Sequence, residues 1–176
     1  LPEAEEIVSV ALGVLSEQDL LGQDIVITAG GTREFLDPVR FLGNSSSGKQ
    51  GVALAIAARD RGAKVTLICA NASVSMPAGV AIENVITGDD MHAAVMKASM
   101  TADAIVMAAA IADYKPKSTH SSKMKKSDDG SSPTIELVRT TDILADLVTH
   151  RNTSHPDQII VGFAAETGDD HGSVLE

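Results

Sequence analysis

The stretch DIVITAGG, residues 24–31, predicts a buried strand that runs directly into a glycine turn. The stretch GKQGVALAIAARDR, residues 48–61, predicts a helix, and Gly62 is a plausible C-terminal stop. KVTLICA, residues 64–70, predicts a second buried strand. Both strands are almost wholly apolar, as strands are when helices cover both faces of a parallel sheet. These three elements predict an α/β fold.

The alternation of strands and helices continues along the chain. Further strands are predicted at residues 81–86, 104–109, 134–138 and 158–164, and further helices at 89–100 and 141–150. Thr141 or Thr140 is the predicted cap of the last helix. Residues 30–43 are not strand-like, and residues 115–133 read as a mobile loop. We therefore predict a Rossmann-like, doubly wound, mainly parallel sheet in a single domain, which binds ligands at its carboxyl edge.

The domain organisation is predicted from the two ends of the chain. Residues 1–20 read as an N-terminal helix or a linker from a preceding domain, because apolar residues recur there at helical spacing. Residues 21–176 read as one nucleotide-binding domain. The final residues, HGSVLE, resemble the start of a helix that is cut short, so we expect the C-terminal part of the domain to be missing.

Composition limits the classes of partner. The formal net charge of −10 argues against a nucleic-acid backbone or an anionic membrane as partner. No apolar run reaches the roughly 18 residues of a membrane span. The single cysteine, Cys69, cannot form an internal disulfide, which fits a reducing compartment. We therefore expect a cytoplasmic protein with neither nucleic acid nor membrane as partner.

Positive charge is concentrated in two short stretches. More than half of the 14 lysines and arginines lie there. They are Arg33, Arg40 and Lys49 in the first stretch, and Lys115, Lys117, Lys123, Lys125 and Lys126 in the second. Such clusters fit a small polyanion, although a solvated basic loop is the more common explanation of such charge.

GNSSSGKQG, residues 43–51, looks like a phosphate-binding P-loop, but two features argue against that site. Gln50 stands where a serine or threonine should hold magnesium, and a long loop separates Gly43 from the preceding strand. The chain also lacks the G-x-G-x-x-G pattern of a nicotinamide site after its first strand. Asn71 follows the second strand, where such a site needs an acidic residue. An anion-binding helix N-terminus and plain helix capping both remain open.

Four ordered motifs resemble the signature of phosphopantothenate–cysteine ligase. They are ITAGGTREFLDPVRFLGNSSSGKQG at 27–51, AAAIADYKP at 108–116, KMKK at 123–126 and GFAAET at 162–167. The resemblance covers about residues 21–168. It implies a ligase of coenzyme A biosynthesis that joins 4′-phosphopantothenate to L-cysteine with CTP and Mg²⁺ through an acyl-cytidylate. It also implies a homodimer and, in most bacteria, an N-terminal flavin-dependent decarboxylase domain.

The resemblance also implies roles for individual residues. Asn44, Arg40 and Lys123 take part in catalysis, and Asp113 is the candidate metal ligand. The implied CTP contacts are Gly30, Gly31, Met107, Ala108, Ala109, Asp113, Lys123, Thr141, Asp142, Ile143, Leu144 and Phe163. The implied phosphopantothenate contacts are Arg40, Asn44, Ser46, Ser47 and Ala110.

Some positions depart from the pattern that the resemblance implies. Phe35 and Gly31 stand where proline is frequent, and Ser45 stands where histidine or arginine is common. The C-terminal lysines of the family have no counterpart. Two alternatives stay open: a nicotinamide-dependent reductase on the same fold, and a non-enzymatic dimerisation or nucleotide-sensing module.

Overall fold

The computed structural model describes residues 4–125 and 132–165. Its strands are β1 (Asp24–Gly30), β2 (Arg33–Phe35), β3 (Phe41–Gly43), β4 (Lys64–Ala70), β5 (Ala81–Val85), β6 (Ala104–Met107), β7 (Tyr114–Pro116), β8 (Leu137–Arg139) and β9 (Ile159–Gly162). Its helices are α1 (Ala4–Leu15), α2 (Lys49–Asp60), α3 (Gly88–Ser99) and α4 (Ile143–Ser154). In the part of the chain so described, no helix has the length and apolar character needed to cross a membrane.

Five parallel strands form the central sheet in the order β5-β4-β1-β6-β9. The chain leaves β1 toward β4 and β5 on one side, and later returns to β6 and β9 on the other side. The strand order therefore reverses at β1, and ligands of such folds bind at the carboxyl ends of the strands near this reversal. The predicted doubly wound fold is confirmed.

Side chains of β1 alternate between two cores, one on each face of the sheet. Ile25 and Ile27 pack in a cluster with residues of α2, whereas Val26 packs in a cluster with residues of α3 and α4. The α2 helix lies very close to β1, because a Cβ atom at Gly51 would come within 2.5 Å of the carbonyl oxygen of Thr28. Both faces of the sheet are thus covered, as the apolar strands predict.

A hairpin follows β1, and the prediction that residues 30–43 contain no strand is wrong. The β2 and β3 strands pair antiparallel, with Phe35 opposite Phe41. The Glu34 side chain is buried and accepts a hydrogen bond of 2.8 Å from the backbone N–H of Gly88, which starts α3. These strands have three residues each, too few for an alternating pattern to stand out in the sequence.

The region after β6 also differs from its prediction. Residues 114–116 form β7, which pairs with β8 at residues 137–139, so the strand predicted at 134–138 begins later. The prediction of a loop at 115–133 is therefore wrong at its start. The α4 helix is capped by Asp142, whose carboxylate accepts from the Ala145 N–H at 2.9 Å, and not by Thr141 or Thr140.

Candidate ligand cleft at the carboxyl edge of the sheet

A cavity of about 550 Å³ lies beside the carboxyl ends of β6 and β9. It is lined by Met107, Ala109, Ile111, Asp113, Tyr114, Arg139, Thr140, Thr141, Asp142, Ile143, Leu144, Gly162 and Phe163. Eight of the twelve residues that the resemblance assigns to CTP are in this lining. Met107 and Phe163 are 56 positions apart in sequence, with α4 between them, and they meet here because parallel strands end at one edge. We call this space the nucleotide cleft.

A second, smaller cavity of about 310 Å³ lies at the N-terminus of α2. Its lining consists of Gly31, Thr32, Arg33, Phe41, Asn44, Ser45, Ser46, Ser47, Asn71 and Ser73. It includes four of the residues assigned to the nucleotide or to phosphopantothenate. The rest of the lining supplies one cation, Arg33, whose guanidinium lies 4.7 Å from the centre of the Phe41 ring. We call this space the polar cavity.

The amino end of α2 is held without a side-chain cap. Its N-cap residue is Gly48, which has a φ of +80° and makes no side-chain cap hydrogen bond. The Ser47 hydroxyl accepts from the N–H of Lys49 at 3.4 Å, which is long for a hydrogen bond. Plain capping therefore explains little of the polar stretch at residues 44–47. First-turn N–H groups that no cap occupies favour an anion in the polar cavity.

A single hydrogen bond joins the walls of the two spaces. The side-chain amide of Asn44, which lines the polar cavity, donates to the carbonyl of Ile111 at 3.0 Å, and Ile111 lines the nucleotide cleft. Beneath this contact Gly31 and Ala110 form a parallel bridge. Ligands in the two spaces would thus approach each other across Asn44.

Two buried threonines hold the backbone that follows β6, and sequence reasoning missed both. The Thr28 hydroxyl accepts from the N–H groups of Ala108 and Ala109 at 3.1 and 3.0 Å. The Thr32 hydroxyl accepts from the N–H of Ala112 at 3.0 Å. The available signal was a hydroxyl inside an otherwise apolar strand, and threonine is common enough in strands to hide it.

Some assigned residues lie outside both linings. Ala108 and Ala110 are engaged through their backbones with Thr28 and Gly30. Gly30 has a φ of +84°, and a Cβ atom there would lie 1.9 Å from the carbonyl oxygen of Ala70. The turn itself therefore requires a residue without a side chain at this position. The exposed Lys123 also lies outside both linings.

Arg40 has a different environment from the one expected of a ligand-binding arginine. Its guanidinium donates two hydrogen bonds to the buried carboxylate of Asp37 and one to the carbonyl of Met124. The guanidinium bond and the bonds from nearby backbone amides hold the pKa of Asp37 well below its usual range. Lys126, Glu166 and Thr167 lie outside the described residues.

Two lysines of the basic stretch are already paired. Lys115 contacts Asp89 and Lys117 contacts Glu136, at 2.5 and 2.7 Å. Lys123 and Lys125 are exposed. The basic stretch therefore has two parts. Within residues 4–125, Lys115 and Lys117 are paired with carboxylates, and the lysines outside these pairs belong to the KMKK motif.

The chain was compared with known families and structures. The profile of the DNA/pantothenate metabolism flavoprotein C-terminal domain (DFP) matches residues 20–174. The chain belongs to this family. This match confirms the resemblance drawn from the four motifs. It does not favour the alternative of a nicotinamide-dependent reductase.

Relatives with curated names agree with the DFP assignment. The chain is 49 % identical over 183 residues to the coenzyme A biosynthesis bifunctional protein CoaBC of Mycobacterium tuberculosis, covering 99 % of this chain and 44 % of that protein. It is 45 % identical over 173 residues to the protein of the same name from Bacillus subtilis, covering 96 % and 41 %. The chain thus spans less than half the length of the curated relatives it matches.

Solved structures share the fold of this DFP domain. The crystal structure of the C-terminal domain of CoaBC superposes with a TM-score of 0.71 at 39 % identity, covering 86 % of this chain and 68 % of that one. A Cab2 mutant in complex with phosphopantothenate-cysteine superposes with a TM-score of 0.69 at 15 % identity, covering 94 % and 71 %. The second similarity is one of fold alone.

Proposed function

We propose that this chain is a phosphopantothenate–cysteine ligase domain that acts in coenzyme A biosynthesis. It would join 4′-phosphopantothenate to L-cysteine at the expense of CTP and release CMP and pyrophosphate. The observation that carries the proposal is the pair of adjoining spaces, a cleft that collects the assigned nucleotide residues and a polar cavity across Asn44. The names of the curated relatives support it.

The chemistry requires two anions to meet. A carboxylate is a poor electrophile, so a carboxylate oxygen of phosphopantothenate first attacks the α-phosphorus of CTP, and pyrophosphate leaves. The cysteine amine then attacks the acyl carbon, CMP leaves with the bonding pair, and the amine loses a proton. Such a reaction depends on positioning and on charge neutralisation more than on a dedicated acid or base.

The nucleotide cleft is suited to a base and its sugar phosphate. Phe163 and Leu144 are half-exposed apolar side chains on its wall and offer a surface for stacking. Arg139 supplies a cation. One carboxylate oxygen of Asp142 is engaged at the α4 cap, so its contact with a nucleotide would use the remaining oxygen or the backbone.

The polar cavity is suited to the phosphorylated acid. Ser46 and Ser47 line it beside the uncapped amino end of α2, and Arg33 adds positive charge. Asn44 can hold an acyl-cytidylate oxygen without adding charge, provided that its amide exchanges the Ile111 carbonyl for the ligand. The two reacting groups would then meet at the wall that Asn44 forms.

Magnesium fits this site as a companion of the triphosphate. Among the described residues there is no group of three or more side chains that could hold a metal, whereas Asp113 is an exposed carboxylate on the cleft wall. One carboxylate with phosphate oxygens and water is an ordinary magnesium environment. When bound, the ion would supply neutralisation of charge on the pyrophosphate leaving group.

The proposal extends to the assembly of the protein. Residues 21–176 form the ligase unit, with residues 1–20 as the connection to a flavin-dependent decarboxylase domain that precedes it. The active form is a cytoplasmic homodimer. The name of these relatives, a bifunctional protein, supports a second catalytic domain.

Release of pyrophosphate tests the proposed function. With CTP, magnesium and 4′-phosphopantothenate, we expect pyrophosphate before cysteine is added, and much less with ATP in place of CTP. Asn44→Asp should slow turnover of the intermediate without unfolding the protein, whereas Asn152→Asp, an exposed amide in α4, should leave the rate unchanged. Pyrophosphate only in the presence of cysteine would rule out the acyl-cytidylate route. Wild-type rates for Asn44→Asp would remove Asn44 from the site.

A further inference from the structure

A buried carboxylate in the β2–β3 turn is tied to the KMKK motif. The Asp37 side chain has no exposure to solvent. One of its oxygens accepts from the N–H groups of Val39 and Arg40 at 2.8 and 2.9 Å. The other accepts from the Arg40 guanidinium and from the N–H of Met124 at 3.1 Å. Met124 is 87 positions away in sequence and is the second residue of KMKK.

The carbonyl group of Met124 is also bound. Arg40 donates from Nη2 to the carbonyl oxygen of Met124 at 3.0 Å, so both backbone groups of Met124 are bound by the Asp37–Arg40 pair. Two further bonds fix the chain just before it. The His120 N–H donates to the carbonyl of Leu36 at 2.9 Å, and the Thr119 hydroxyl donates to the carbonyl of Phe35 at 3.1 Å. We call these four contacts, from residues 119–124 to residues 35–40, the clasp.

The clasp leaves the lysine side chains free while it fixes their backbone. Lys123 and Lys125 flank Met124 and are both exposed. A lysine on an unrestrained loop loses backbone and side-chain freedom when it binds a phosphate, and each backbone residue that is fixed costs about 1–2 kcal/mol. A backbone that is already fixed removes part of this cost from ligand binding.

We propose that Asp37 is a positioning residue that sets where Lys123 meets the phosphates of the nucleotide. The inference rests on the proposed function, since it concerns the nucleotide of the same ligase. Arg40 shares this role, because it neutralises the buried carboxylate and grips the Met124 carbonyl. The Asp37 carboxylate is buried and bonded within the chain, so it acts through the segment that it holds.

The substitution Asp37→Asn tests this role, because it removes the charge and keeps the shape. We expect the dissociation constant of CTP with magnesium to rise about tenfold, the loss of a charge-assisted hydrogen bond of roughly 1.5 kcal/mol. Amide hydrogen exchange at His120 and Met124 should accelerate by a similar factor. Asp19→Asn is the matched control, because Asp19 also pairs with an arginine, Arg61, through two bonds, at a site remote from the clasp. It should change neither quantity.

A double-mutant cycle separates positioning from a general structural effect. If Asp37 acts through Lys123, Asp37→Asn should weaken CTP binding in the wild-type background but add little in a Lys123→Ala background. Fully additive losses would overturn the proposal. Unchanged CTP affinity in folded Asp37→Asn protein would overturn it as well.

A second variant covers the case in which Asp37→Asn does not fold. Met124→Pro removes the backbone N–H that donates to Asp37, restricts the backbone of Lys123 before it, and keeps both side chains of the buried Asp37–Arg40 pair, so it should weaken CTP binding in the same direction. Wild-type affinity in Met124→Pro would overturn the proposal. Wild-type protein that binds no CTP would instead overturn the proposed function, and exchange at His120 would still show whether Asp37 holds the segment.

Discussion

Replacing Thr28 by valine should weaken the fold and the nucleotide cleft together. The Thr28 hydroxyl is fully buried and is the acceptor for two backbone N–H groups, those of Ala108 and Ala109. Valine has nearly the same shape but accepts nothing. Each buried N–H group that loses its partner costs about 1–3 kcal/mol. Both alanines are only half-buried, so we take the lower value for each and expect a loss of about 2 kcal/mol.

Urea denaturation measures this loss. With a slope of about 2 kcal/mol per molar urea, the transition midpoint of Thr28→Val should fall by roughly 1 M at unchanged slope. Ala109 lines the nucleotide cleft, so the affinity for CTP should fall as well. Thr28→Ser restores the acceptor and should recover most of both properties.

The matched control is Thr66→Val in the neighbouring strand β4. Thr66 is only partly buried and lies opposite Val26 and not beneath the cleft. This substitution should be close to neutral in both measurements. The reasoning would be refuted if Thr28→Val and Thr66→Val had the same midpoint and the same affinity for CTP.

Three further predictions concern a turn, a ring and a carboxylate. Gly30→Ala should destabilise the protein by about 2–4 kcal/mol in thermal unfolding, because the backbone has a φ of +84° and the new Cβ would collide with the carbonyl of Ala70. Phe163→Ala should weaken CTP binding by about 1–3 kcal/mol in calorimetry, whereas Ile159→Ala, an exposed residue at the start of the strand that Phe163 follows, should not. The lowered pKa of Asp37 stabilises the fold fully above its unfolded value of 3.8, and this contribution is lost as pH falls through the lower folded value. The urea midpoints of wild type and Asp37→Asn should therefore differ by a constant amount above about pH 3.8 and draw together progressively as the pH falls below it.

Local sequence pattern was sufficient for the elements that form the central sheet. The apolar run of β1, the small-residue helix α2 and the stop at Gly62 each carry their own signal, and Gly62 indeed has a φ of +91°. The β2–β3 hairpin carried no such signal, because three-residue strands are stabilised by contacts with distant residues such as Gly88. The α4 cap was missed because Thr140, Thr141 and Asp142 are all capping residues in a row, and only the backbone geometry selects the last.

The candidate site was predictable only in part. The rule that parallel strands end at one edge placed the cleft, and the family resemblance supplied eight of the thirteen residues that line it. Neither source could reveal that Arg40 is paired with Asp37, or that Lys115 and Lys117 contact Asp89 and Glu136, because these pairings depend on contacts between distant segments. The positioning residues were therefore missed more often than the lining residues.

The close contact between α2 and β1 has a consequence for how the polar cavity adapts to ligands. A displacement of α2 toward the sheet would drive the backbone at Gly51 into the carbonyl of Thr28 and the methyl group of Ala29, so this side of the cavity is rigid. Another part of the cavity wall is the hairpin that carries Arg33 and Phe41. We therefore expect the size of the ligand that the polar cavity accepts to depend on the position of the hairpin, with the helix as a fixed reference point.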